Sequence, residues 1–161
     1  MLRAIQTKYG QAGFRSCLLT FFQPGVEAFY ATAELGTIAT LGLSFQEGLS
    51  AFVEAQEGST FAETQTTNLQ GDLYIQSISL AAGGLSVEKR ELLRSLSGHR
   101  VHALVQDMSG NWWLYGQERG LRVAVKSASD TGMSLAITGL EREPARRVAA
   151  SLIPGFLTFL N

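Results

Sequence analysis

His99 and His102 are the only histidines in the chain, and they stand three positions apart where a strand is expected to begin. Metal chelation needs its ligands on one face, and an odd separation on a strand puts them on opposite faces. The pair is therefore expected to be structural or surface, with no metal site. Glu54 with Glu57, and Glu141 with Glu143, are close in sequence, but nothing around them splits two carboxyl pKa values as acid–base catalysis requires. They read as solvated charges. Asp107 precedes the turn-forming run "MSGN" and reads as a turn cap. Cys17, the sole cysteine, sits in the apolar run "CLLTFF" and reads as a buried thiol, so no internal disulfide forms. The chain has no phosphate-binding loop, no nucleophile elbow and no HExxH, and the glycines of "AAGGLS" lack dinucleotide-fingerprint spacing. The expectation is a protein that is not an enzyme, with no catalytic residues and no cofactor.

The elements that would carry these residues are mostly strands. A chain of 161 residues fits one domain, 1–161, and is long enough for one core without staples. Seventeen glycines, three prolines and frequent Thr, Ser, Val and Phe favour strands and turns. The run "LSVEKRELLRSLSG" predicts a short helix at about 86–97. Ser86 caps it, Glu88 and Glu91 lie near its positive end, and Arg94 lies near its negative end. Leu92, Leu93 and Leu96 share a face, and Gly98 ends it. The period then drops to two. "RVHALVQD", "NWWLYG", "LRVAVKS" and "MSLAITGLE", joined by short turns, predict a four-stranded antiparallel meander.

In the first half, "RSCLLTFF" and "VEAFYATAE" flank the Pro24-Gly25 turn. "ATLGLSFQ" is a strand that "LSAFVEAQ" follows as the return of a hairpin. "DLYIQSISL" slips phase between Ile75 and Ile78, as at a bulge or in a strand serving two surfaces. In the tail, Arg146 to Leu152 reads as a helical turn or two and "FLTFLN" as an edge strand. The fold class expected is mainly β (α+β): an antiparallel β-sandwich or closed barrel with one short flanking helix.

Charge is unevenly spread. Residues 1–15 carry +3, residues 16–87 carry seven acids and no base, and residues 88–161 carry +3. A segment with no base disfavours tight, sequence-independent nucleic-acid binding. It also allows an acidic part of one copy to meet a basic part of another. In "NWWLYG", Trp112 and Leu114 share a core-like face, and Asn111, Trp113 and Tyr115 share the other. Leaving Trp113 in water forgoes on the order of 2–3 kcal/mol. Either the sheet is covered on both faces, by the helix for instance, or Trp113, Tyr115, Arg119 and Arg122 form a subunit interface. Head-to-tail contacts of that kind close into rings or run on as stacks.

From the helix onward, "VEKRELLRSL", the strand ending in Asp107, "SGNWWLYG", "ERGLRV" and "TGMSLAITGLERE" together resemble structural proteins of tailed bacteriophages, tail-tube-like proteins above all. The likeness covers roughly residues 73–143. It implies a virion structural protein of the tail, made in the host cytoplasm, that self-assembles into six-fold rings stacked as a conduit for DNA. Its implied partners are itself, other tail proteins and DNA passing through without specific binding, with no membrane. It also implies a long hairpin or loop reaching the next ring, for which 41–68 is the candidate stretch, and acidic groups toward the lumen. Glu47, Glu54, Glu57 and Glu63 are the carboxylates expected at a lumen or a ring-to-ring contact. A head–tail connector or tail terminator, and a β-sandwich binding carbohydrate or another ligand through Trp112, Trp113 and Tyr115, are the competing readings. Rings on one face would suit a sugar, and adjacent tryptophans alternate.

Overall fold

The run Phe14–Phe21 carries the apolar core Cys17–Leu19 and is buried at six of its eight positions, the pattern of a strand covered on both sides. It forms strand β1. Cys17 and Leu19 face one core and Leu18 the other, and all three are fully buried. The computed structural model describes residues 13–30, 36–46, 49–69, 71–129 and 132–160, and the features below belong to those residues. In chain order the strands are β1 (Phe14–Phe21), β2 (Ala28–Tyr30), β3 (Thr37–Leu41), β4 (Ser50–Glu54), β5 (Thr60–Asn68), β6 (Gly71–Gly83), β7 (Arg100–Asp107), β8 (Trp112–Tyr115), β9 (Leu121–Ala128), β10 (Gly132–Glu141) and β11 (Arg146–Val148). Helix α1 (Val87–Leu96) joins β6 to β7, and a helical turn α2 (Ile153–Phe156) lies between two 3-10 turns in the tail.

Strand β7 organises the molecule. One of its edges pairs with β1, and β1 pairs in turn with β4. The other edge is divided. Ala103–Gln106 pair with β8, while Arg100 and Val101 pair with β9. From β8 the first layer continues through β11 and β3 to β2. From β9 a second layer runs β9-β10-β6-β5. The larger core lies between the layers and includes Val101, Val105, Ile78, Leu80, Leu135, Ile137 and the buried face of α1. A smaller core lies on the far side of the first layer, where Leu104, Trp112, Leu114 and Ile38 meet Ile153 and Phe156 of the tail.

Helix α1 forms as its residues require. The Ser86 hydroxyl accepts the Lys89 N–H at 3.2 Å, Leu93 and Leu96 are buried, and Gly98 turns away with φ of 81°.

Several details differ from the sequence expectation. The fold is mainly β, but its sheet ends in β2 and β5 and is not closed into a barrel. It is mixed, because β3 and β11 run parallel. The meander is interrupted: β8 and β9 do not pair, since the Gly116–Gly120 turn carries the chain from one layer to the other. Strand β4 returns to β1 and not to the "ATLGLSFQ" segment, which leaves strand form at Leu41. The β6 ladder shows no bulge. Gln76 simply takes an inward position, and Ile75 points out at 42% exposure.

The tail is the reverse of the expectation. Arg146–Val148 extend beside β8, and Val148 fills the smaller core. Helical structure follows from Ala150, because Pro154 suits a first helical turn and Ile153, Phe156 and Leu157 then share a face.

Candidate assembly surface

The turn between β7 and β8 is built on Asp107. Its Oδ1 accepts the N–H groups of Ser109 and Asn111, both at 2.9 Å, and Gly110 supplies a φ of 95°. Its Oδ2 accepts the Trp113 indole N–H at 3.0 Å. Trp113 is therefore pinned, half-buried, against the larger core. Trp112 faces the smaller core, so the two tryptophans do lie on opposite sides of the layer. Tyr115 is a correction. At 4% exposure it is inside the larger core, edge-on to Phe61, because the second layer covers this face of β8. Burial, with the Glu63 carboxylate nearby as a lesser cause, pushes its phenol well above the usual value.

The turn that follows is held from beneath by buried polar groups. The Gln76 Oε1 accepts the Gly116 N–H at 2.9 Å. The Glu141 carboxylate accepts the N–H groups of Glu118, at 2.6 Å, and Arg119, at 2.8 Å. Burial raises the Glu141 carboxyl above its ordinary value, and the two N–H donors oppose that shift. His102 closes the arrangement. Its Nε2 accepts the Gln23 N–H at 2.9 Å, which leaves Nδ1 to donate to the Gly116 carbonyl at 2.8 Å. Phe22 stacks on the imidazole, and Arg100 lies over Phe22. Arg119 thus sits on a rigid turn, and Arg122 is exposed on β9. The four residues expected at an interface do not form one patch: the two arginines flank the start of β9, while Trp113 and Tyr115 belong to the interlayer side of β8.

The four carboxylates also divide. Glu47 lies outside the described residues. Glu54 and Glu57 are exposed and come together at a depression of about 500 Å³, with Phe14, Arg15, Phe52 and Met108 among its lining. Glu63 stays exposed to solvent, but its Oε2 accepts the Gln76 amide N–H at 2.8 Å and the Ala145 N–H at 2.7 Å. It serves the closure of the sandwich.

Periodicity left a different surface unremarked. The outer face of the second layer forms three rows in register across its strands. They are Thr64–Ile75–Leu140, Ala62–Ser77–Thr138–Arg122 and Thr60–Ser79–Ala136–Ala124. Arg122, at the margin, is the only charged residue in these rows. The alternation of "TFAETQTT" against "YIQSISLAA" carried that signal. Both sides of this layer are open among the described residues. Strand β5 pairs with β6 alone, and β9 is unpaired beyond Val123 on the side away from β10. A bulge at Lys126 marks that second edge.

Among the described residues no group of three or more His, Cys, Asp or Glu is placed to hold a metal, and no helix is long and apolar enough to cross a membrane. No protein-family model, curated protein or solved structure matches the chain.

Proposed function

We propose that this chain is a ring-forming structural subunit, a tail-tube-like virion component whose second layer lines a conduit for DNA. The observation that carries the reading is the pair of open edges on one four-stranded layer. Along that layer the strands alternate in direction, so β5 and β9 run opposite ways. Rotation about an axis parallel to the strands brings β5 of one copy beside β9 of the next. Antiparallel pairing then continues from copy to copy without a break. Each contact joins unlike edges, the arrangement that closes into rings. It also pairs the backbone groups that an isolated sheet edge leaves unmet.

The charges suit this contact. Strand β9 carries Arg122 and Lys126, while β5 belongs to the segment that has no base. The three rows of the outer face carry one cation, Arg122 at their margin, and so offer little grip to phosphate, and a passage for DNA needs low grip. Glu54, Glu57 and Glu63 are not required in the lumen. A ring that stays single would be a terminator or connector, and a ring that stacks would be a tube. Trp112, Trp113 and Tyr115 form no shared platform for a carbohydrate, since Trp112 and Tyr115 are buried and Trp113 is pinned to Asp107.

Light scattering and negative-stain microscopy of the purified chain are expected to show rings of uniform size, and a clean monomer at all concentrations would overturn the reading. Successive N–H groups along a strand point to opposite edges. Of Gln65→Pro and Thr66→Pro, one disturbs the β6 ladder and the other removes only a donor at the free edge. The second is expected to keep the native circular dichroism spectrum and to lose the rings. Rings retained in both would exclude β5 from the contact.

A further inference from the structure

His102 is buried, and the Gln23 backbone offers its imidazole two different groups. The Gln23 N–H lies 2.9 Å from Nε2, and the Gln23 carbonyl lies 3.3 Å from the same atom. A backbone N–H can only donate, so Nε2 is the acceptor and the ring is neutral, with its one proton on Nδ1 toward the Gly116 carbonyl. A second proton ends that arrangement. Both ring nitrogens become donors, the Nε2–H and the Gln23 N–H oppose each other, and the Gln23 carbonyl is the acceptor within reach. Gln23 precedes Pro24, which keeps it extended, so the exchange is a local rotation of its backbone that carries the side chain with it.

That side chain holds the segment after β3. The Gln23 amide donates to the Ser44 carbonyl at 2.7 Å, and its Oε1 accepts the Ser44 N–H at 3.1 Å and the Ser44 hydroxyl at 3.3 Å. Ser44 stands between two residues of the smaller core: Leu43, which is buried, and Phe45, whose ring centre is 4.9 Å from that of Phe156. The ties on either side are the Gly42 N–H on the Glu27 carbonyl and the Gln46 N–H on the Ser50 hydroxyl. A depression of about 240 Å³, with Phe22, Gln23, Ser44 and Leu49 in its lining, brings solvent to the joint.

We propose that His102, Gln23 and Ser44 form a proton-operated latch: a proton taken from solvent at Nε2 turns the Gln23 backbone from N–H to carbonyl, its side chain leaves Ser44, and Leu43 and Phe45 come away from the smaller core. The product is an apolar surface shown only in acid. The charged groups nearest the ring are Arg100 on its own strand, Glu118 and Arg119 on the turn, and Glu141 on β10. None of them bonds the ring, and the Glu141 carboxylate is taken by the N–H groups of Glu118 and Arg119. From β1 and the residue after it the ring meets Thr20 and Phe22, both uncharged. No carboxylate is therefore bonded to the ring to hold a charged His102 in the closed form. Burial lowers the closed-form pKa, so the open form binds the proton better. Opening grows as pH falls below about 6.5, by up to about tenfold per pH unit until the closed form is protonated as well. The latch belongs to the single chain and stands whether or not copies assemble.

The test is hydrogen exchange of the full chain read by mass spectrometry from pH 7.5 to 5.5, corrected for intrinsic exchange rates. Exchange of the imidazole Cε1 hydrogen follows the titration of His102 in the same samples. Opening of 42–46 is expected to increase on the order of tenfold in step with that titration, while 88–96 in α1 stays protected. Gln23→Ala keeps the backbone N–H on His102 and removes the hold on Ser44. It is expected to expose 42–46 at every pH, with no step. His102→Asn is expected to abolish the step in a chain that keeps Ser44 protected. Protection of 42–46 that is unchanged while His102 titrates would overturn the latch. So would 42–46 and 88–96 opening together, or a step that survives in Gln23→Ala.

Discussion

Two polar residues, His102 and Gln76, hold the turn that joins the layers, and neither advertised that role in the sequence. Gln76 looked like a break in an apolar phase. It is in fact an inward position occupied by a group whose amide reaches Glu63 on one side and the Gly116 N–H on the other. A buried amide with both ends bonded costs little, and only the position of distant backbone groups makes it so. His102 was legible as structural, but not as the joint between Gln23 and Gly116. Burial lowers its pKa below the ordinary value, and the nearby carbonyls of Gly116 and Gln23 only oppose that effect.

The pH dependence follows from the direction of this shift. Between the lowered folded value and an unfolded value of about 6.5 the unfolded chain holds more protons, so stability rises with pH there and falls on acidification. Glu141 works the other way. Its carboxyl is raised, so its protonation favours the folded state, and stability is lost as pH rises through its folded value. The difference between wild type and His102→Asn isolates the histidine. As pH falls from 7.5 to 5.5, the unfolding free energy of the wild type, from urea titration, is expected to drop more than that of the variant, by up to about 1.4 kcal/mol per pH unit. Equal slopes would mean that His102 titrates normally.

Elements with local chemistry at their ends were readable. Ser86 and Gly98 bound α1, and Asp107 with Gly110 sets the β7–β8 turn. The β9–β10 hairpin likewise follows from alternation. Pairings decided by layer were not readable. β8 has the alternation of a strand bound for β9, yet it pairs with β11, whose Val148 serves the smaller core. The tail misled for a related reason: three residues, Arg146–Val148, are too few to show a period. Helix α1 packs Leu93 and Leu96 into the larger core. Leu93→Ala is expected to cost about 2–5 kcal/mol. Urea unfolding should show the midpoint lowered with the slope unchanged. A loss within about 0.5 kcal/mol would mean that the helix is only loosely docked.

At the scale of the whole molecule, the long-range partnership of β1 and β7 governs how the fold is reached. Ser16 and Gln106 are 90 positions apart, yet their side chains are hydrogen-bonded at 3.1 Å. Contacts of such separation make folding slow. Cys17, at the centre of β1 and opposite Val105, reports on the event directly. Pulse labelling with a thiol reagent during refolding is expected to show Cys17 protected only in the slowest phase, when β7 seats. Early protection would place the nucleus in β1 and β4.

The same joint sets a timetable for a chain still being made. The greasy stretch Cys17–Phe22 is synthesised early, and the strand that shelters one whole side of it is complete only at Asp107. At ordinary translation rates that interval is on the order of ten seconds. Among the described strands, β4 is the one partner of β1 completed within that interval, and until β7 emerges the nascent polypeptide carries an adhesive segment with one side uncovered.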